Sequence, residues 1–431
     1  MKKVLLMMIA SILTMAMAQT TISYMLWDTN QLPPYQQCAA DFEAETGIKV
    51  DVQQLGWGDY WSTIQTGFVS GEAPDVFTNH LAKYPEFAAL GQLVDIEPMV
   101  MMDGVDTGIY VEGLADLWTR DGMRYGLPKD WDTIAIVYNK DMLAAAGISE
   151  EELNSTTWNA QDGGSFEEII AKLTIDANGN NGLSPDFDKD NVVQYGFGNS
   201  FGGSGAYGQT EWSWLAVSNG FKFNNGVWGD EYYYDDPKLA ESLQWMVDLW
   251  LEKGYAPSLE EQTSLGKTAL FQSKTVAMVP DGSWMIGTYL GSEFSVGFAR
   301  LPIGPEGRKS MFNGLADSIW IGTEHPEEAW QWVKYLASPA CIDVVGQSGV
   351  VFPSTPEGVA LSLGVREEAG VDVTAFTDQA LEEGGTFLFP ITDYGSEINT
   401  IMAEAIQSMG LGEGKAADLL GAANDEVNDL F

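Results

Sequence analysis

Three side-chain types are scarce in this 431-residue chain: cysteine, histidine and the basic residues. The only cysteines are Cys38 and Cys341, too few for a disulfide scaffold. Their wide separation leaves open whether they pair; two buried small apolar side chains are the plainer expectation. Histidine occurs only at positions 80 and 325, which excludes a histidine-rich metal centre. His325 stands just before Pro326, as a flank of the helix that proline opens. Lys plus Arg number 21 against 62 Asp plus Glu, a formal charge of −41. A field of that sign disfavours nucleic acid and anionic membrane surfaces as partners. Beyond the first residues no apolar run is long enough to span a bilayer.

The first residues are different in kind. "MKKVLLMMIASILTMAMAQTT" has Lys2 and Lys3, an apolar stretch from Val4 to about Ile12, and Ala16-Met17-Ala18. That order is a secretory signal peptide, with cleavage expected after Ala18. No cysteine stands at the cleavage point, so no lipid anchor is expected there. The mature chain is expected to be exported, to the periplasm or the cell exterior.

Further along, the periodicities alternate. Thr21 to Trp27 reads as a strand. Pro33 to Gly47 reads as a helix with Pro at its start and Gly at its stop. "IKVDVQQL" alternates like a strand, "DYWSTIQTGFVSGEAP" is helical, "DVFTN" is a third strand, and "YPEFAALGQLVDI" a third helix. Strand and helix in strict alternation predict a mostly parallel sheet with helices on both faces. "TIAIVYN" is a further apolar strand. The helix within residues 231–250 carries a Leu243, Met246, Val247, Trp250 stripe, most simply core.

Taken in order, "YMLWDTN", "FEAETGIKVDVQQLGWGDYWSTIQTGFVSGEAPDVF", "YGLPKDWDTIAIVYNKDMLAAAGI", "LFQSKTVAMVPDGSWMIG" and "EEAWQWVKYLASPACIDVVGQSGVVFPS" resemble the extracellular solute-binding proteins of sugar ABC transporters, the maltose-binding-protein family. Each stretch is short and degenerate; the ordered combination covers nearly the whole mature chain. The resemblance implies an α/β, two-lobed periplasmic-binding-protein fold of type II. Each lobe would be a mostly parallel sheet flanked by helices, joined by a hinge. It places the first lobe at residues 19–130 plus 313–338 and the second at 131–312 plus 339–431. Crossings are expected near Pro128 to Thr133, near Met311 to Asn313, and after the Trp330 to Ala337 helix. It also implies a monomer that clamps a solute between its lobes and hands it to a membrane permease.

A sugar offers hydroxyl edges and weakly apolar faces, so its site needs aromatic plates and short polar side chains. Carboxylates suit paired hydroxyls. Asn79 and His80 end a strand before a helix, where open α/β sheets bind ligands; local loop bonding is the alternative. Asp75, at that strand's start, reads as structural. Trp57 lies between Gly56 and Gly58, with Trp61 as core. Asp130 and Trp131 sit at the first crossing, where hinge packing is the competing reading. Trp212 follows the Gly-rich run from residue 202, which lacks the phosphate-loop pattern; Glu211 and Trp214 are secondary there. Trp284 opens a helix after Asp281-Gly282, a place where the family puts a stacking ring. Asp281 competes with an ordinary turn role. Asn313 and Phe352 complete the set. Asp176, Asn178 and Asn180 have the 1-3-5 spacing of a calcium loop, which Asp186 and Asp188 extend. The match then fails, because Phe187 replaces the usual Glu; an Asx-rich turn is the alternative. No other cofactor is expected.

The expected ligand is a neutral mono- or oligosaccharide, because few basic residues are available; Arg124 and Arg308 are the nearest for an anionic one. A non-sugar solute is one alternative. A secreted glycoside hydrolase is another; it needs two carboxylates about 5–10 Å apart, and no local signature for it stands out.

Overall fold

The computed structural model describes residues 19–201 and 207–431. The signal-peptide segment and the start of the Gly-rich run therefore lie outside the described residues. Two mixed sheets organise the rest. In the first, Thr21–Leu26 pairs in parallel with Lys49–Gln54 and with Val76–His80. The helices Leu32–Thr46 and Trp57–Ser70 connect them. This opening is the βαβαβ order the sequence predicts. Gly47 and Gly71 stop those helices at φ 77°, where a residue with a Cβ would be strained.

The parallel pattern ends where the crossing strands enter. Leu127–Asp132 and Ser310–Ile319 both belong to the first sheet and pair antiparallel, with Asn313 opposite Asp132. Beyond Thr133 the chain continues as Ile134–Asn139 in the second sheet. There it runs antiparallel to Val276–Gly282 and to Val296–Ala299. A chain that leaves one lobe and returns arrives from the opposite direction, which makes both sheets mixed. Met311 packs in the second lobe's core and Ile319 in the first, so Ser310–Ile319 is itself a crossing.

Residues after 338 depart from the expected division. The helix Pro339–Ser348 packs on Leu32–Thr46, and Cys341, Ile342 and Val345 lie in the first core beside Trp332. Cys38 and Cys341 form a disulfide, with Cα atoms 5.3 Å apart. Phe352–Pro353 then adds an edge strand to the first sheet. The helix Pro356–Glu368 still packs on Pro339–Ser348, so the last passage to the second lobe comes after Glu368 rather than after Ala337. The sequence missed this because a 303-residue separation carries no signal of proximity.

Candidate functional site

Between the lobes lies a cavity of about 510 Å³. The first lobe contributes the turn after Thr21–Leu26, from Trp27 to Gln31. It also contributes Trp57, the first residue of its helix, and His80, the last of its strand. Asp132, Asn313 and Leu315 come from the crossing strands, and Gln209, Thr210, Glu211, Trp284, Met285 and Thr288 from the second lobe. The first-lobe groups stand at the carboxyl ends of strands or just beyond them, as open α/β sheets require.

Three indoles shape the walls. Trp27 and Trp57 meet edge to face with ring centres 5.1 Å apart, and Trp57 lies 5.7 Å from the His80 ring. Trp57 is 42% exposed, so part of its ring is open to the cavity. Across the cavity Trp284 folds over Gly282, whose missing Cβ would stand 2.0 Å from the ring. Only glycine lets the indole take that position.

His80 is held neutral. Burial pushes its pKa down to about 3, with the Lys83 charge adding to the effect. Its Nδ1 accepts the Ala82 backbone N–H at 3.0 Å. Nε2 lies 3.0 Å from the Asn313 side-chain amide and 3.2 Å from that of Gln209. The Gln209 contact joins the lobes, as does Asn30 Nδ2 donating to Thr288 Oγ1 at 3.4 Å. The lobes are therefore in a closed arrangement.

The carboxylates are held differently. Asp28 accepts the Asn30 backbone N–H at 2.8 Å and the Gln31 amide at 3.2 Å, while burial raises its pKa. Asp132 accepts the Ser283 hydroxyl at 2.8 Å, a bond from the crossing strand to the turn carrying Trp284. Burial pushes its pKa up to about 7. Glu211 faces Lys267, whose Nζ is 3.3 Å from Glu211 Oε1, 3.2 Å from Asp281 Oδ1 and 3.0 Å from the Pro280 carbonyl oxygen. That buried ammonium ties the Thr210–Glu211 turn to the strand leading to Trp284.

A raised carboxyl pKa favours the fold while the group stays protonated, and the benefit is lost as pH rises through the folded value. Asp28, Asp130 and Asp317 are raised as well, all chiefly by burial. Two groups act in the opposite sense. Asp176, lowered to about 2, has its effect complete well below neutrality. His80, lowered from 6.5 to about 3, adds stability as pH rises to about 6.5 and none beyond. The melting midpoint of the ligand-free protein is therefore expected to fall from about pH 6.5 to about pH 8. Asp132→Asn should flatten that slope. Calorimetric melts across the range check it, and a midpoint rising with pH would contradict it.

The sequence candidates divide. Trp57, His80, Trp284 and Asn313 line the cavity, as does the secondary candidate Glu211. Asn79 does not; its amide donates to Ser318 at 3.1 Å and accepts the His80 backbone N–H at 2.9 Å, so it braces its neighbour. Trp131 points to the other face of its strand, stacked between Phe312 and Phe352 at 5.6 and 5.3 Å. That face lines a separate apolar cavity of about 850 Å³, so Phe352 also packs the hinge rather than the cleft. Asp130 is 0% exposed and does not line the cavity. Trp212 is buried among Phe221 and Phe223 with its ring against Gly208. Burying an indole is worth roughly 5 kcal/mol, which outweighs a rim position. Asp281 accepts the Tyr289 hydroxyl at 2.6 Å and pairs with Lys267, a structural role.

The Asp176 loop folds around its own carboxylate. Asp176 accepts the backbone N–H groups of Asn178, Asn180 and Asp188 and the Asn180 amide, at 2.8 to 3.1 Å. Asn180 also donates to the Asp186 carbonyl oxygen, and Asp188 accepts from Asn191. Among the described residues no group of three His, Cys, Asp or Glu side chains is gathered to hold a metal. These are the contacts of an Asx-rich turn, the alternative reading of the calcium spacing.

Asp132, Trp27 and Asp28 escaped the sequence reading. A signal existed for each. Asp132 is two residues from Asp130 on a strand and so shares its face. Trp27-Asp28 stands at a strand's carboxyl end, as His80 does.

Two lobes around a cavity at a hinge are the architecture of a solute-binding protein. The profile of the bacterial extracellular solute-binding proteins matches residues 28–340, and the chain belongs to that family. It is 24% identical over 314 residues to the maltodextrin-binding protein MdxE of Bacillus subtilis, covering 69% of this chain and 65% of that one. It is 32% identical over 114 residues to the diacetylchitobiose binding protein DasA of Streptomyces coelicolor, 26% of each. The chain thus spans less than two thirds of these relatives' lengths. Among solved structures, UspC of M. tuberculosis superposes with a TM-score of 0.73 at 25% identity, covering 95% of this chain and 100% of that one. A substrate-binding protein of Listeria monocytogenes in complex with cycloalternan gives 0.80 at 19%, covering 96% and 99%. Among the described residues no helix is long and apolar enough to cross a membrane.

Proposed function

We propose that this chain captures a mono- or oligosaccharide between its lobes and delivers it, as an exported monomer, to the permease of an ABC transporter. The observation that carries the reading is the cavity itself: indoles of both lobes around a belt of carboxylates and amides. The relatives' names, maltodextrin-binding and diacetylchitobiose binding, point the same way. An anionic sugar is disfavoured, since neither Lys nor Arg is among the described residues lining the cavity. Arg124 is bound to Glu97 at 2.7 Å, and Arg308 to the Leu301 carbonyl oxygen at 2.8 Å. Closure works by differential affinity: the ligand shifts the population only as far as it binds the closed form better.

Titration of a saccharide panel, followed by tryptophan fluorescence and melting temperature, tests the reading. A response to amino acids or peptides with none to any saccharide would overturn it. The reading includes no turnover. Incubation for hours with bound saccharide should release no reducing sugar; release abolished by Asp132→Asn or Glu211→Gln in folded protein would mark a hydrolase instead.

A further inference from the structure

We propose that the cavity is built for a cationic saccharide, one bearing a free amino group, whose ammonium is held beside Asp132 with Asp28 and Glu211 as the surrounding acceptors. The proposal rests on the saccharide-binding reading above and replaces the uncharged ligand expected from the sequence with a positively charged one. Three carboxylates line the cavity without a lining Lys or Arg among the described residues, and His80 is neutral. Gln31 adds an independent observation. It lines the cavity and is only 4% exposed, yet its amide oxygen has no donor. Among the described residues the cavity wall therefore carries no positive charge, and one of its buried acceptors has no donor.

The layer beneath repeats the imbalance. Asp130 is wholly buried with neither carboxylate oxygen hydrogen-bonded, and Asp317 has one oxygen unpartnered. The cation acting on Asp28, Asp130 and Asp317 is Lys129, whose ammonium donates to Tyr24 at 3.2 Å and to Thr78 at 2.9 Å. On the second lobe, Glu211 shares Lys267 with Asp281. Lys83 acts on His80 from the loop beyond it. Burial holds the Asp28 and Asp132 carboxyls above their ordinary range, the response of carboxylates short of countercharge. A hydroxyl brings one donor and no charge, whereas an ammonium brings three donors and a full charge. In a closed cavity that difference is screened little by solvent.

The test is calorimetric titration near pH 6.5 with three disaccharides: the glucosamine dimer, its N,N′-diacetylated form and maltose. About 0.3 M NaCl suppresses binding to the acidic surface. The glucosamine dimer is expected to bind at least about tenfold more tightly than either neutral sugar. In Asp132→Asn that preference should shrink to within about threefold while the melting temperature shows an intact fold. Equal or tighter binding of a neutral dimer would overturn the proposal. So would a preference undiminished in Asp132→Asn, which would place the ammonium on the surface. If none of the three binds while another saccharide does, the amino-sugar proposal fails alone; if no saccharide binds, the reading beneath it fails too.

Discussion

Trp284→Ala is expected to weaken saccharide binding by about 10- to 100-fold while leaving the melting temperature of the ligand-free protein within a few degrees of wild type. A stacked indole contributes on the order of 1–3 kcal/mol through buried area and ring geometry. Trp284 is half-buried against the second lobe and lines the cavity, so its removal costs little core packing. Trp57→Ala should act in the same direction from the other wall. Trp57 is 42% exposed, and its loss removes the edge-to-face partner of Trp27. The contrast is Trp131→Ala, which removes a ring stacked between Phe312 and Phe352 and should lower stability instead. Calorimetric titration paired with thermal melts separates these outcomes. Unchanged affinity in Trp284→Ala would remove the second-lobe wall from the account.

Replacing Cys38 and Cys341 together by Ser should lower stability by about 2–5 kcal/mol. The bridge ties Leu32–Thr46 to Pro339–Ser348 and closes a loop of 303 residues, so the constraint on the unfolded chain is large. Both partners lie in the first lobe's core and neither lines the cavity. Affinity should therefore stay within about twofold of wild type at temperatures where the variant is folded. Chemical unfolding with and without reductant checks this, and a variant as stable as the parent would show that the bridge adds nothing to packing already present.

The opening of the fold was legible because its periods are local. Strand, helix, Gly stop and Pro start all lie within a few residues of one another, from Thr21 to His80. The crossings near Thr133 and Asn313 were legible through resemblance. The allegiance of Pro339–Ser348 was not, because its apolar face fits either core until Cys341 meets Cys38. At the site, aromatic residues beside turns were over-read. Trp212 and Trp131 have the same local signature as Trp57 and Trp284, and what separates them is whether other aromatic side chains bury the ring, as Phe221 and Phe223 do for Trp212 and Phe312 and Phe352 do for Trp131. The acidic groups failed by one step of pleat: Asp130 was chosen, and Asp132 on the same face is the one that reaches the cavity. In the Asp176 loop, oxygen spacing was met while backbone N–H groups took the carboxylate.

Small-angle scattering from the protein before and after saturation with a saccharide that calorimetry shows to bind tests the clamp most directly. The account predicts a smaller radius of gyration in the saturated protein, because His80–Gln209 and Asn30–Thr288 are contacts of the closed form. Superimposable curves at full occupancy would contradict it.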